Sequence, residues 1–287
     1  MSLRRLPPIL ASSFWFVVVI AVGCGVWEAY KAIGQAFNDR VPGLGWTFPV
    51  ATDDISLPHI TTIIESLFQP VGTGSQLLLT NLLTDSLITL KEAVVALLAA
   101  SIFGLFLALL FLRVRSLSRG LFPWVVASQT IPLVAVAPMV VIWGGKAGLP
   151  GWAAVVAIAA FLAFFPVTVS ALRGLAAVEP VALEMMHSIG AGPTTILRLL
   201  RVPNSLPYVF VGLRLAATAS VVGAVVGELS AGTGKGLGAA ILNFSYYYSI
   251  GPAQLYAAVL VASLTGMLFV GSIWVIELVA FRHRPRK

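Results

Sequence analysis

Glu184-Met185-Met186-His187-Ser188-Ile189-Gly190 is followed, ten residues on, by Leu200-Arg201-Val202-Pro203. Both stretches lie in a polar, basic segment, 173–203, that interrupts an otherwise very apolar chain. The segment is too long for a minimal turn, and a chain built for lipid has little use for it unless something soluble docks there. Leu183, Glu184, Met185 and Met186 are good helix formers, which predicts a short helix over 181–189. Gly190-Ala191-Gly192 ends it, because glycine accepts the left-handed backbone of a sharp reversal. Pro193 suits the first turn of a second helix that runs on from Thr195 to Leu200. Pro203 and Pro207 then separate that helix from the next apolar run.

Working outward, the 287 residues are 59% hydrophobic and 10% charged, with a mean hydropathy of +0.97. A soluble core cannot consume that much apolar surface, whereas lipid can. The net charge of +7 would hint at nucleic acid in a soluble chain. Here the charges sit at the ends of apolar runs, so membrane topology explains them. A single cysteine, Cys24, excludes a disulfide framework, and three histidines, His59, His187 and His283, give no basis for a multi-ligand metal site. Arg4 and Arg5 precede an uncharged run, 6–27, that is long enough for a bilayer core of about 20 helical residues. A cleaved signal peptide has a shorter apolar region followed by a small-residue cleavage site, so this run reads as an uncleaved first helix.

Hydropathy gives about six spans, near 8–30, 84–112, 121–143, 152–172, 206–229 and 254–281. The second opens with Asp85, Lys91 and Glu92, so its first turns stand outside lipid or face protein. With the N-terminus inside, one side holds Arg4, Arg5, Arg113, Arg115, Arg119, Arg173, Arg198 and Arg201, and the tail adds Arg282, Arg284, Arg286 and Lys287. The loops of the other side hold only Lys31, Arg40, Lys146 and Lys235. The positive-inside rule therefore places both termini in the cytoplasm.

The first outer segment, 31–74, is the longest non-spanning stretch. Within it Pro58 precedes an amphipathic pattern, Ile60, Ile63, Ile64, Leu67 and Phe68, closed by Pro70 and Gly72. Either a short surface helix or a plain loop packed on the bundle fits. Ala231-Gly232-Thr233-Gly234-Lys235-Gly236 imitates a phosphate loop but lacks its first glycine and the Ser or Thr after lysine, so the chain binds no nucleotide there. The glycines of 232–238 fit a re-entrant segment or a mobile outer loop, and Tyr246, Tyr247 and Tyr248 an interfacial anchor. Glu228, at the outer end of the fifth span, either gates the outer mouth or pairs with Lys235; Arg214 reaches back toward the inner interface. Gln129 and Thr130 precede Pro132, and a kink at that proline would turn them toward a central cavity, with Gln129 the first choice for solute contact. No His-Glu-x-x-His motif occurs and no Ser/His/Asp set shares one side of the membrane, so the chain is not itself an enzyme.

The loop pattern resembles the signature of ABC-importer permeases: Glu-Ala-Ala, three residues, Gly, nine residues, an aliphatic, any residue, Leu, Pro. Glu184, Gly190, Leu200 and Pro203 stand at the expected positions without a gap. Met185 and Met186 replace two alanines and Val202 a leucine, all keeping apolar character. From Leu57 onward the chain is similar to the nitrate/sulfonate/taurine group of these permeases. The matching segments are Leu57-Pro58, Gln129-Thr130-Ile131-Pro132 through Pro138 to Trp143-Gly144-Gly145, and Gly236-Leu237-Gly238.

The resemblance implies an all-α, polytopic membrane protein of about six transmembrane helices, a type I ABC-importer-like permease forming one domain over 1–287 with 173–203 as its cytoplasmic coupling loop. It implies a permease subunit of the bacterial plasma membrane that passes a small solute by alternating access. A cytoplasmic ABC ATPase dimer would dock on Glu184, Met185, Met186, Ile189, Gly190, Leu200 and Pro203. Methionine adapts its shape to a groove, while Glu184 pairs with a basic partner residue or caps its helix near the positive end. ATP and Mg would belong to that ATPase, with no cofactor in this chain and no nucleic acid. A substrate-binding protein would deliver the solute, and a second permease, an identical copy or a sibling, would complete the path, with Gln129, Thr130, Pro132 and Glu228 as its candidate lining. The alternative is an ion-coupled secondary transporter or channel, which would carry mid-span carboxylates that are sparse here. The group carries small organic and inorganic anions and heterocyclic vitamin precursors. Arg214 is the lone basic candidate within a span, and the Gln129–Pro132 run looks more like members carrying pyrimidine precursors or flavins, which favours a neutral or aromatic heterocycle.

Overall fold

The computed structural model describes residues 8–40, 47–71 and 76–282. Arg4, Arg5, Gly72, His283, Arg284, Arg286 and Lys287, on which part of the topology reading rests, lie outside the described residues. The elements in chain order are α1 (Pro8–Ala36), α2 (Ile60–Ser66), α3 (Leu78–Arg113), α4 (Arg115–Ala127), α5 (Leu133–Lys146), α6 (Gly151–Ala176), α7 (Pro180–Ser188), α8 (Pro193–Ile196), α9 (Val202–Ala231), α10 (Leu237–Tyr246) and α11 (Pro252–Ala280). Among the described residues the β structure is confined to two isolated bridges, Arg40–Thr47 and Pro70–Leu77.

Five helices are long and apolar enough to cross a membrane, and a bent pair makes a sixth when its two pieces count as one span. That sixth is the expected third span, which is not one kinked helix: α4 with its 3-10 turn Ser128–Thr130 meets α5 at 100°. Pro132 sits at the break in an extended conformation. It cannot donate to the ladder and disfavours a helical residue before it, so the helix stops and restarts.

Two compact units divide the chain, 1–80 with 243–257 and 81–242 with 258–287. In the first, α1 runs six residues past the expected boundary at Tyr30, so Lys31 is helical rather than part of an outer loop. Its side chain is fully buried and donates to Asp54 Oδ1 at 2.5 Å and to the Leu57 carbonyl at 2.6 Å. That ammonium beside it holds the Asp54 carboxyl below its usual range. Glu28 accepts from the Ile60 amide at 2.8 Å and meets His59 Nδ1 at 2.8 Å, which anchors the start of α2 from a neighbouring helix. The amphipathic stretch is thus a seven-residue helix, with Ile63 and Leu67 buried and Ile64 and Phe68 exposed.

The second unit is built around α6 and α9. Their contact is lined by small residues, among them Ala159, Ala163, Ala216, Ala217 and Ala224. Gly223 faces the Cα of Ala159 so closely that a β-carbon there would collide with it. Between helices in lipid, with no hydrophobic drive to associate, such close backbone approach supplies the packing energy. Ala93, Ala96 and Ala100 of α3 and Phe269 of α11 complete the core. The opposite face of α3 exposes Leu98, Ile102 and Phe106, the pattern of a lipid-facing surface.

Candidate functional site

At one end of the second unit lies the polar segment 177–203. Pro180 occupies the first turn of α7, and the helix closes in a Schellman motif: the Ala191 amide donates to the Met186 carbonyl and the Gly190 amide to that of His187, both at 3.0 Å. Gly190 supplies the left-handed residue this motif requires, at φ +72°, and a β-carbon there would meet nothing within 4 Å. Its requirement is therefore conformational and not steric.

The exposed apolar stripe of α7 is Val181, Met185 and Ile189, each about two-thirds exposed or more. Met186, expected to face outward beside Met185, is half-buried on the opposite side with Leu183. Val181 was missed; its spacing of four before Met185 was the available signal. Glu184 is exposed and makes no hydrogen bond or ion pair among the described residues. It is the fifth helical residue, beyond the first turn, so it does not cap the helix.

Leu200 and Pro203 are half-buried and belong to the support of the segment. Pro203 and Pro207 do not separate two helices: 193–231 is one continuous 39-residue run. A π-turn over Leu197–Arg201 widens the ladder ahead of the prolines and absorbs their missing donors. Arg201 donates to the Leu175 carbonyl at 2.8 Å and Asn204 to that of Ala177 at 3.0 Å, which fixes the start of α9 to the end of α6.

The other end is organised by carboxylates. After α9 the chain turns through Gly232, Gly234 and Gly236, all with positive φ, and enters α10. Three successive amides that α10 cannot satisfy itself find side-chain acceptors. Gly236 donates to Asp85 Oδ1 at 3.0 Å, Leu237 to Thr89 Oγ1 at 2.9 Å and Gly238 to Glu228 Oε2 at 2.6 Å. Thr89 Oγ1 donates in turn to Glu228 Oε1 at 2.6 Å. A β-carbon on Gly236 would overlap the Glu228 carboxyl, and one on Gly238 the Val225 carbonyl, which explains the Gly-Leu-Gly spacing. The glycine-rich segment is pinned at its exit into α10, and Glu228, 1% exposed, makes no ion pair with Lys235 among the described residues.

Asp85, Thr89 and Glu92 stand at i, i+4 and i+7 on α3, one buried stripe facing protein. That spacing was legible, but the reading left two places open for these first turns, outside lipid or against protein. Glu92 lies against the Glu228 carboxyl, is 6% exposed, and its Oε2 has no hydrogen-bond partner among the described residues. It lines a cavity of about 490 Å³ together with Ile88, Val95, Trp152 and Thr233.

Gln129 is half-buried and, among the described residues, donates to its neighbour Ser128 at 3.4 Å, while Thr130 and Pro132 are exposed. None of the three lines the cavity beside Glu92. Arg214 does not simply reach outward: its Nε lies 3.3 Å from Glu277 Oε2, an ion pair without hydrogen-bond geometry, across from α9 to α11.

Residues 100–282 match the family described as binding-protein-dependent transport system inner membrane component. The chain is 33% identical over 199 residues to the formylaminopyrimidine transport permease protein of Halalkalibacterium halodurans, covering 69% of this chain and 77% of that protein. It is 34% identical over 158 residues to the riboflavin transport system permease protein of Chloroflexus aurantiacus, covering 55% and 57%. The taurine transport system permease protein of Escherichia coli is 29% identical over 150 residues, covering 52% and 53%.

Proposed function

Because the chain belongs to the family of binding-protein-dependent transport system inner membrane components, and is an ABC-importer permease subunit of the bacterial inner membrane and not an enzyme, we propose how it works. Its ATPase docks on α7, through the stripe of Val181, Met185 and Ile189 with Glu184 beside it. The observation that carries this is the stripe itself: three large apolar side chains on a polar-flanked helix outside the spans, held in a fixed turn by Gly190 and left exposed by the described residues. An adaptable methionine at the centre suits a groove on a protein partner.

In this reading the α7 end is cytoplasmic, as the arginine-rich loops favour, and the glycine-rich end faces the substrate-binding protein. Two permeases, identical copies or siblings, share the path about a two-fold axis. ATP and Mg are held by the ATPase. Closure of the ATPases moves the two α7 helices and biases the paired bundles between inward-open and outward-open, since a ligand shifts a two-state element only by its differential contacts. The solute is a small heterocycle of the pyrimidine or flavin kind, which the names of two relatives support. The family membership leaves the ion-coupled alternative without support.

The test is a mild-detergent pull-down of the tagged chain with mass spectrometry of what it retains. Capture of an ATPase in near-equal amount, lost on Met185→Asp and on Glu184→Arg with the helices still folded, is the expected result. Recovery of the chain alone from cells that also express the ATPase would overturn the docking assignment.

A further inference from the structure

A cavity of about 580 Å³ lies between the end of α3 and the α7 segment. Leu109 and Arg113 of α3 form one side of it, and Leu183 and His187 of α7 with Leu197 and Arg201 of the π-turn form the other. Residues 183 and 187 are one helical turn apart, on the face of α7 opposite the stripe of Val181, Met185 and Ile189. The cavity is therefore no part of the surface assigned to the ATPase, and a partner seated on the stripe leaves it open.

Charge and lipid exposure together select what fills it. Arg113, His187 and Arg201 bring donors, no acidic side chain lines the cavity, and none of the three makes an ion pair among the described residues. Arg201 spends one of its guanidinium donors on the Leu175 carbonyl and has others to give. Such a group favours an anion with several acceptor oxygens, as a phosphate has. Arg115 and Arg119 follow on α4 and serve the positive-inside bias without lining the cavity. The lipid-facing stripe of α3, Leu98, Ile102 and Phe106, continues in steps of three and four residues through Leu109, 40% exposed, to Arg113 at the helix end. It thus runs into the cavity and stops at the first cation. A soluble anion would use the cations and leave the leucines wet; an anion with an acyl chain matches both.

Resting on the permease reading, which puts this end at the inner leaflet, we propose that the cavity seats one anionic phospholipid. Its phosphate lies among Arg113, His187 and Arg201, and an acyl chain runs along α3 over Leu109. The lipid bridges the end of α3 to the back of α7.

The experiment is native mass spectrometry of the assembled transporter, delipidated and then titrated with phosphatidylglycerol or with phosphatidylcholine of the same acyl chains. One phosphatidylglycerol per copy of this chain should survive the collisional activation that strips phosphatidylcholine. Arg113→Gln should weaken its binding about fivefold, the worth of one basic residue at an anionic membrane surface. Leu109→Trp, which fills the apolar side and leaves the cations in place, should remove it, and Arg115→Gln, outside the cavity, should leave it unchanged. Equal retention of the two lipids, retention that neither Arg113→Gln nor Leu109→Trp alters, or displacement by excess inorganic phosphate would overturn the lipid seat. Any of these in a transporter that keeps its ATPase leaves the permease reading intact. A chain recovered without an ATPase strikes the docking assignment instead, and the same titration on that chain alone still decides the lipid seat.

Discussion

Replacing Glu228 with alanine should loosen the entrance to α10 more than any other single change at that end. The carboxylate accepts from the Gly238 amide and from the Thr89 hydroxyl, both at 2.6 Å, in a site 1% exposed. Its removal orphans the Gly238 amide at about 1–3 kcal/mol. Thr89 adds little, because its hydroxyl can turn to the Asp85 carbonyl, already 3.1 Å away. The vacated volume adds about 1 kcal/mol or more as a cavity, for a total near 3 kcal/mol. At roughly 2–4 °C per kcal/mol for a chain of this size, the unfolding midpoint should fall by about 6–12 °C. Glu228→Gln is the control. Its amide can accept from Gly238 through one atom and donate to Thr89 through the other, so its cost should stay near or below about 1 kcal/mol. Thermal unfolding in detergent, read by loss of the monodisperse species, gives the midpoints. Amide exchange across 236–240 shows whether the loss is local. Equal midpoints for the two variants, or undiminished protection at Gly238 in the alanine form, would refute the account of Glu228 as the residue that pins this turn.

Two further outcomes follow from the same geometry. Gly190→Val forces a β-branched residue to φ +72°, a backbone strain of about 1–2 kcal/mol with no clash around it. The turn after α7 should reorganise while the spans stay folded, so ATP hydrolysis in the assembled transporter should persist as uptake falls; normal uptake would contradict it. For the Lys31–Asp54 lock, the ammonium holds the Asp54 carboxyl below its ordinary value of 3.8, chiefly by their hydrogen bond. The folded form therefore binds that proton more weakly than the unfolded chain, and its contribution is present above 3.8 and lost as pH falls through the depressed value. Protection factors over 54–58 should drop in that acid range and drop less in Asp54→Asn, the remaining slope belonging to Glu28 and Asp39, which hold the flanking residues; an identical acid slope in the variant would reassign the effect.

How a residue could be read depended on how locally its role was written. The helix over 180–188 and its stop at Gly190 rest on propensity and on one positive φ, both properties of neighbouring residues, and the sequence carried them to within a residue at each end. The break at Pro132 was visible as a proline, but its size was not. A missing donor predicts a bend, whereas 100° depends on what the two pieces pack against. The π-turn at Leu197–Arg201 was invisible for the same reason, since two prolines signal interruption whether the helix stops or merely widens.

Lipid leaves a strong mark on a sequence because every spanning residue must satisfy its backbone internally and face hydrocarbon or protein. That mark alone determined an all-helical membrane protein of about six crossings, and the gapped spacing from Glu184 to Pro203 identified its class. Which polar residues matter at the glycine-rich end was decided by tertiary structure. Asp85, Thr89 and Glu92 on α3 meet Glu228 on α9 and the amides of α10 across more than a hundred residues of chain. No local period encodes such a meeting, because a buried carboxylate is tolerable only where donors from other helices converge on it. Glu228 could be named from its position in a span, but its partners, and the Glu92 carboxyl that lies against it, exist only once the helices pack.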